Sequence, residues 1–181
     1  MSFEFNQENV AKAQQIIEKY PEGKSKSAVM PLLDLAQRQN NNYLDQDIIE
    51  YIAGFLNLPP IKVYEVASFY SMYNLKPVGK YLLQVCGTTP CMLRGSEDII
   101  NVCKKKLNIG MNETTSDGLF TLKEVECLGA CVNAPIVQIN DDYYEDLNSE
   151  IMEKILEYLK NGKEVKIGSQ IGRVCSKAKE E

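Results

Sequence analysis

From residue 7 to about 73 apolar residues recur at helical spacing, beginning with Val10, Ala13, Ile16, Ile17 and Tyr20 on one face. Pro21 and Gly23 end this first predicted helix. A second begins near Ala28, tolerates Pro31 in its first turn, and stops in the polar run QRQNNN. Asp45 is the expected N-cap of a third, whose stripe is Ile48, Ile49, Ile52, Phe55 and Leu56. Pro59 and Pro60 break it and open a fourth, IKVYEVASFYSMY. Apolar and aromatic residues surround that fourth segment almost completely, which predicts burial on several sides or contact with another chain.

After NLKPVGK the pattern changes. YLLQVC is a short, nearly all-apolar run bounded by turn residues, the signature of a central strand. SEDIINVCKKKL reads as an amphipathic helix, and the turn-rich NIGMNETTSDG follows it. FTLKEVE, PIVQIN and YYEDL read as three further strands, with Asn140, Asp141 and Asp142 turning the last two into a hairpin. SEIMEKILEYLKNG is a closing helix, with Ser149 expected as its cap and Gly162 as its stop. A boundary near Pro77 to Gly79 divides the chain into a helical domain, 1–77, and a domain over 78–181 with a polar C-terminal tail. The order β-α-β-β-β-α, ending in a hairpin and a helix, suits a thioredoxin-like α/β sandwich. The expected class is therefore α/β, an N-terminal helical bundle followed by a thioredoxin-like α/β domain.

Composition narrows the chemistry. The 181 residues are 44% hydrophobic and 25% charged, in the range of globular domains. No apolar run approaches the ~18 residues of a membrane span. MSFEFNQENVAKAQQ resembles neither a secretory signal nor a transit peptide, so the expected location is the compartment of synthesis. A net charge of −5 argues against nucleic acid, whose binding rests on basic residues that displace counterions. The chain contains no histidine and no tryptophan. That excludes Ser-His-Asp and Cys-His nucleophiles, His-ligated zinc or haem, and Rieske centres, leaving thiolates and carboxylates as metal ligands.

Six cysteines are present: Cys86, Cys91, Cys103, Cys127, Cys131 and Cys175. Four form two spaced pairs. Cys86 ends the first strand and Cys91 falls where a helix starts, a position that favours thiolate. Cys127 and Cys131 lie in the loop between FTLKEVE and PIVQIN. In a thioredoxin-like layout these two loops meet at one end of the sheet, so four thiolates converge. Disulfides are unfavoured in a chain with no export signal, and neither spacing is the C-x-x-C of a redox dithiol. A four-cysteine zinc site remains open, although its pairs usually sit in tight knuckles. An iron–sulfur cluster fits better, because each pair can hold one iron and the loops have room for N–H donors to sulfur. Cys103, on the stripe Ile99, Ile100, Cys103 and Leu107, reads as a small buried hydrophobe. Cys175 reads as an incidental thiol.

The segments EVASFYSMYN, GKYLLQVCGTTPC and FTLKEVECLGACVNAPIVQINDDYYEDL, with the tail Gly168, Gln170, Gly172 and Arg173, resemble in order and spacing a known family. It is the small [2Fe-2S] subunits of the NADH-oxidising arm of respiratory complex I, of thioredoxin-like ferredoxin type. The resemblance covers nearly the whole chain. It implies that Cys86, Cys91, Cys127 and Cys131 ligate one [2Fe-2S] cluster, and that the chain carries electrons as a subunit of an NADH:quinone oxidoreductase. It also implies that NAD and FMN sit on a larger partner subunit, in keeping with the lack of any G-x-G-x-x-G after a strand. No independent catalytic activity is expected of the isolated chain. Its expected place is the cytoplasmic face of a bacterial inner membrane, held peripherally within the complex. The equivalent subunit of an NAD-linked hydrogenase or formate dehydrogenase is the alternative within the class. Glu124 and Glu126, beside the second pair, would add negative charge near a cluster. Pro135 stands just before a strand, where thioredoxin-like folds carry a cis proline.

Overall fold

The computed structural model describes residues 3–174. Cys175 and the KAKEE tail lie outside the described residues. Cα packing divides the chain after Val78 into two compact units, residues 1–78 and 79–181.

The first unit is helical: α1 (Gln7–Glu18), a 3-10 turn (Ser25–Ala28), α2 (Val29–Gln39), α3 (Gln46–Leu56) and α4 (Pro60–Phe69). Asn6 caps α1 by accepting the Asn9 N–H, and Asp45 caps α3 by accepting the Ile48 N–H at 3.0 Å, each meeting an otherwise orphaned donor. Pro60 takes the first position of α4, where its missing N–H costs nothing. Leu32, Leu33, Ile48, Ile52, Val63 and Ala67 meet in one buried cluster. Truncating one of its large members to Ala would cost ~2–5 kcal/mol.

Two details of α4 differ from the sequence expectation. The helix ends at Phe69 rather than continuing to Tyr73, and Tyr70 is extended. The cause is tertiary. The amide of Gln37, on α2, donates to the Met72 carbonyl at 3.1 Å and accepts the Asn74 N–H at 2.8 Å, fixing 70–74 as a turn. In addition, of the two expectations for this helix, burial on several sides is not met: only Val63 and Ala67 are buried, while Ile61, Tyr64 and Phe69 are exposed, Phe69 by 80%.

The second unit holds a five-stranded sheet in the order β2-β1-β3-β4-β5. Its strands are β1 (Tyr81–Cys86), β2 (Phe120–Val125), β3 (Val137–Ile139), β4 (Asp142–Glu145) and β5 (Gly168–Ser169). β1 runs parallel to β2 and antiparallel to β3, so it is central as its apolar run predicts. A two-residue turn, Asn140 and Asp141, joins β3 to β4. α5 (Thr89–Leu93) and α6 (Ser96–Leu107) follow β1, and α7 (Ser149–Lys160) follows β4. Leu83, Val85, Leu122 and Val137 share a core with Ile99 and Cys103 of α6 and Met152, Ile155 and Leu156 of α7. The cap of α7 is Asn148, which accepts the Ile151 N–H at 2.8 Å, so Ser149 is the first helical residue rather than the cap. The short β5 was not predicted.

Both sheet edges are occupied or short. Residues 112–115 return along β2, with the Asn112 N–H donating to Leu122 O (2.7 Å), Leu122 N–H to Glu113 O (3.1 Å) and Thr115 N–H to Phe120 O (2.8 Å). The opposite edge is the two-residue β5.

Strand alternation positions the site. It sends Leu83 and Val85 into the helix-covered core and turns Cys86 to the other face. There Cys86 joins a separate small cluster with Cys91, Ala134 and Ile136.

Candidate metal centre

Three chain ends reach one rim of the sheet. β1 and β2, being parallel, end together at Cys86 and Val125, and β3, being antiparallel to β1, begins there. The Cys86 N–H donates to Ile136 O at 3.2 Å, tying the first cysteine to the chain that returns from the second pair. The loop after β1 and the loop after β2 therefore meet, as the thioredoxin-like layout predicts. The Ala134–Pro135 bond, leading into β3, is cis.

The first pair is interior, with Cys86 1% and Cys91 0% exposed. Burial pushes the Cys86 thiol up, but hydrogen bonds from the Thr88 hydroxyl (Sγ to Oγ1 3.3 Å) and from the Leu128 and Thr88 backbones outweigh it, leaving Cys86 below its ordinary value. Cys91 is pushed up to about 12 by burial, with further contributions from Cys86 and from Cys131. The second pair is exposed, its sulfurs 3.5 Å apart. The Gly129 N–H, 3.4 Å from the Cys127 sulfur, lowers that thiol, as do hydrogen bonds with Cys131 and with Thr88. Gly129 is suited to this turn because its φ of +82° lies in the left-handed region. Cys131 is raised, first by its hydrogen bond with Cys127. Each pair thus feels the other, and Thr88 stands between them.

Four soft ligands in two pairs, with backbone N–H groups aimed at sulfur, form a donor set for a thiolate-bound metal group. Two thiolates on one tetrahedral metal, each ~2.3 Å from it, stand about 3.8 Å apart. The 3.5 Å between Cys127 and Cys131 fits that edge. Among the described residues, no three His, Cys, Asp or Glu side chains come together around a single metal position. Each of the two pairs could hold one metal of a two-metal group.

A family model described as thioredoxin-like [2Fe-2S] ferredoxin matches residues 13–160. The chain belongs to this family. Proteins of the thioredoxin-like [2Fe-2S] ferredoxin family carry a [2Fe-2S] cluster, which the donor set above fits. An NADH-quinone oxidoreductase subunit from Rickettsia typhi is 60% identical over 160 residues, spanning 88% of this chain and 94% of the relative. The mitochondrial NADH dehydrogenase [ubiquinone] flavoprotein 2 of Dictyostelium discoideum is 52% identical over 171 residues, spanning 94% of this chain and 69% of the relative. Among solved structures, an NAD+-reducing [NiFe]-hydrogenase in the air-oxidised state superposes with a TM-score of 0.63 at 21% identity. That match covers 72% of this chain and 23% of the hydrogenase chain, and it speaks for the fold alone.

Of the other thiols singled out in the sequence, Cys103 sits on α6, fully buried and pushed up to about 12 by burial alone. Cys175 lies outside the described residues. Glu124 is turned toward the first loop: a Cβ on Gly87 would meet its Oε1 at 2.1 Å, so the carboxylate lies directly over Gly87. Sequence reasoning missed three contributors and named a fourth, Arg173, without its contact. Thr88 bonds the Cys86 sulfur, and the Tyr143 hydroxyl donates to Leu128 O at 2.8 Å, pinning the loop between Cys127 and Cys131 to β4. Asn133 is the third. No periodicity marks such contacts, although the tail motif did single out Arg173.

Proposed function

We propose that this chain is the electron-carrying [2Fe-2S] subunit of an NADH:quinone oxidoreductase, with Cys86, Cys91, Cys127 and Cys131 as the cluster ligands. The observation that carries this reading is the meeting of the two cysteine-bearing loops at one rim of the sheet. The names of the relatives support the assembly. When bound, the cluster supplies reversible one-electron transfer. The chain's own part is to hold four thiolates, to give them N–H donors from Gly129, Leu128 and Thr88, and to bury one pair in a low-dielectric setting. The Glu124 carboxylate over Gly87 places negative charge beside the first loop and would lower the reduction potential.

The partner of this reading is a flavin- and NAD-binding subunit, since hydride chemistry needs a two-electron acceptor that a [2Fe-2S] centre does not provide. The residues 1–77 serve as a docking domain and 78–181 as the cluster domain. The uncovered Ile61, Tyr64, Phe69, Tyr70 and Met72 suit an interface core, where aromatic and Met side chains are favoured. Met92, Leu93 and Val132 are exposed beside the cysteines in sequence. No helix among the described residues is long and apolar enough to cross a membrane. Attachment to the cytoplasmic face of the inner membrane would therefore come through the other subunits.

Purified anaerobically, the protein should be brown, with iron and sulfide in equal amounts. It should fail to oxidise NADH with an artificial acceptor until the flavin-bearing subunit is added. Zinc in place of iron, or NADH turnover by the chain alone, would overturn the reading.

A further inference from the structure

The chain beyond α7 does more than trail from the sheet. β5 pairs in parallel with β4, and the Gln170 N–H donates to Glu145 O at 3.1 Å. The Gln170 amide donates to the carbonyls of Lys166 (2.6 Å) and Gly168 (2.9 Å), folding the tail on itself. Gly172, with φ +77°, turns the chain back, and the Arg173 N–H donates to the Ser169 hydroxyl at 2.9 Å. That hydroxyl donates to Asp146 Oδ2 at 2.6 Å.

This turn delivers the Arg173 guanidinium to the second cysteine loop. Nη1 stands 3.2 Å from Asp146 Oδ1, in an ion pair whose arginine side chain is 37% exposed and whose aspartate is 2% exposed. The contact is electrostatic rather than an aligned hydrogen bond, because Oδ1 accepts none. Nη2 donates to the Val132 carbonyl and lies 3.5 Å from Asn133 Oδ1. Val132 and Asn133 directly follow Cys131 in a 3-10 turn, Cys131–Asn133. β4 grips the same turn from its other side. The Asp146 N–H donates to Asn133 O at 2.7 Å, and the Asn133 amide donates to Glu145 Oε2 at 2.5 Å.

We propose that Arg173 is a positioning residue for the Cys131 thiolate, clamping the turn that carries it onto the buried Asp146 at the end of β4. The planar fork of arginine suits the task, since it meets a carboxylate and a carbonyl at once. A fixed positive charge two residues from a ligand also stabilises the more negative, reduced state of a bound cluster. The C-terminal tail is thereby a functional part of the centre, and its pattern of Gly168, Gln170, Gly172 and Arg173 is the sequence trace of a clamp.

The inference rests on the ligand set proposed above. The test uses the full-length, cluster-loaded protein and three variants: Arg173→Gln, Arg173→Lys, and Arg173→Gln with Asp146→Asn. Each is followed by the rate of cluster loss to an iron chelator, the electron paramagnetic resonance of the reduced cluster, and a mediated potential titration. Removing an interaction that orients a metal ligand typically costs ~10–100-fold in metal retention, so Arg173→Gln should lose its cluster at least ~10-fold faster. Its resonance should shift and its potential fall. Arg173→Lys keeps the charge but not the fork, so its potential should stay near that of the parent while its cluster is still lost faster. The double variant leaves no unpaired buried charge. It should regain the parent's unfolding midpoint yet keep the fast loss, and it carries the test if the single variant folds poorly. Parent-like loss and resonance in Arg173→Gln, or loss restored to the parent rate in the double variant, would overturn the clamp. A Cys131→Ser protein that retains its cluster would instead defeat the ligand assignment.

Discussion

Cys86 and Cys91 sit at a strand end and in a short helix, almost without exposure, whereas Cys127 and Cys131 stand in an exposed loop. The first pair is held by the fold itself. Its strand is flanked on both sides by β2 and β3, and the pair packs with Ala134 and Ile136. The second pair is held by individual hydrogen bonds, from Tyr143 to Leu128, from Gly129 to the Cys127 sulfur, and from Arg173 to Val132. The proposed centre would thus join a preformed half to a tethered half. On that reading the second half sets how readily a cluster is gained and lost, and the first sets the dielectric around it.

The largest effect expected is on cluster content. Serine at any one of the four paired cysteines should remove most of the iron and sulfide, while Cys103→Ala leaves both in place. The two halves should then separate in the cluster-free proteins. Cys91→Ser puts a more polar hydroxyl into a fully buried site and should destabilise the fold by about 1–2 kcal/mol, while Cys127→Ser should leave the unfolding midpoint unchanged. Equal midpoints for the two would break the distinction.

Thiol reactivity is next in size. Only the thiolate is nucleophilic. With Cys127 lowered and exposed, and Cys91 buried and pushed up to about 12, iodoacetamide at pH 8 should modify Cys127 more than about a hundredfold faster in the cluster-free protein. Peptide mass mapping over time gives the order. Modification of Cys91 ahead of Cys127 would reverse the assignment of interior and exterior halves.

The meeting of the two loops was legible in the sequence, whereas the contrast between a buried and an exposed pair was not. The apolar run YLLQVC placed Cys86 at the end of a central strand, and the hairpin at Asn140 set the direction of β3 and β4, so the meeting of the two loops followed from topology. The capping aspartate at 45 and the prolines at 59 and 60 fixed the helices around them for local reasons. The misreadings were non-local or a choice between near equals. Gln37 reaches from α2 to end α4 early, which no local pattern encodes. Asn148 and Ser149 are adjacent residues with similar capping ability, and backbone geometry chose the first. β5 is two residues long, too short for any periodicity, and the reach of Arg173 to Val132 joins residues far apart in sequence.

Two smaller effects sharpen the comparison. Tyr143→Phe deletes the bond to Leu128 O and should cost about 1 kcal/mol of order in the second loop. Faster cluster loss to a chelator, with the unfolding midpoint of the cluster-free protein lowered by no more than this, would show the effect confined to the tethered half. Cys103 provides a control inside the core. Burial raises its folded pKa from 9.0 to about 12, so its contribution to stability is complete below pH 9 and is lost as the pH rises toward 12, because the unfolded thiol ionises first. By pH 9.5 that loss is just under ~1 kcal/mol. Cys103→Ala should flatten the alkaline limb by this amount in urea unfolding curves, and an unchanged slope would mean that the thiol ionises alike in both states.

The edges of the sheet bear on how such a subunit survives before and after assembly. An open β edge is a template for any extended chain, and proteins that expose one risk aggregation through main-chain pairing. Here residues 112–115 already occupy the outer hydrogen-bonding positions of β2, and the far edge offers only the two residues of β5. Little strand edge is therefore left on the second unit for another chain to pair with. Contacts it makes with neighbours then fall mainly to side chains, which can be selective where backbone pairing is not. A newly made chain still waiting for its metal group would be protected, by the same covered edge, from pairing with its own copies.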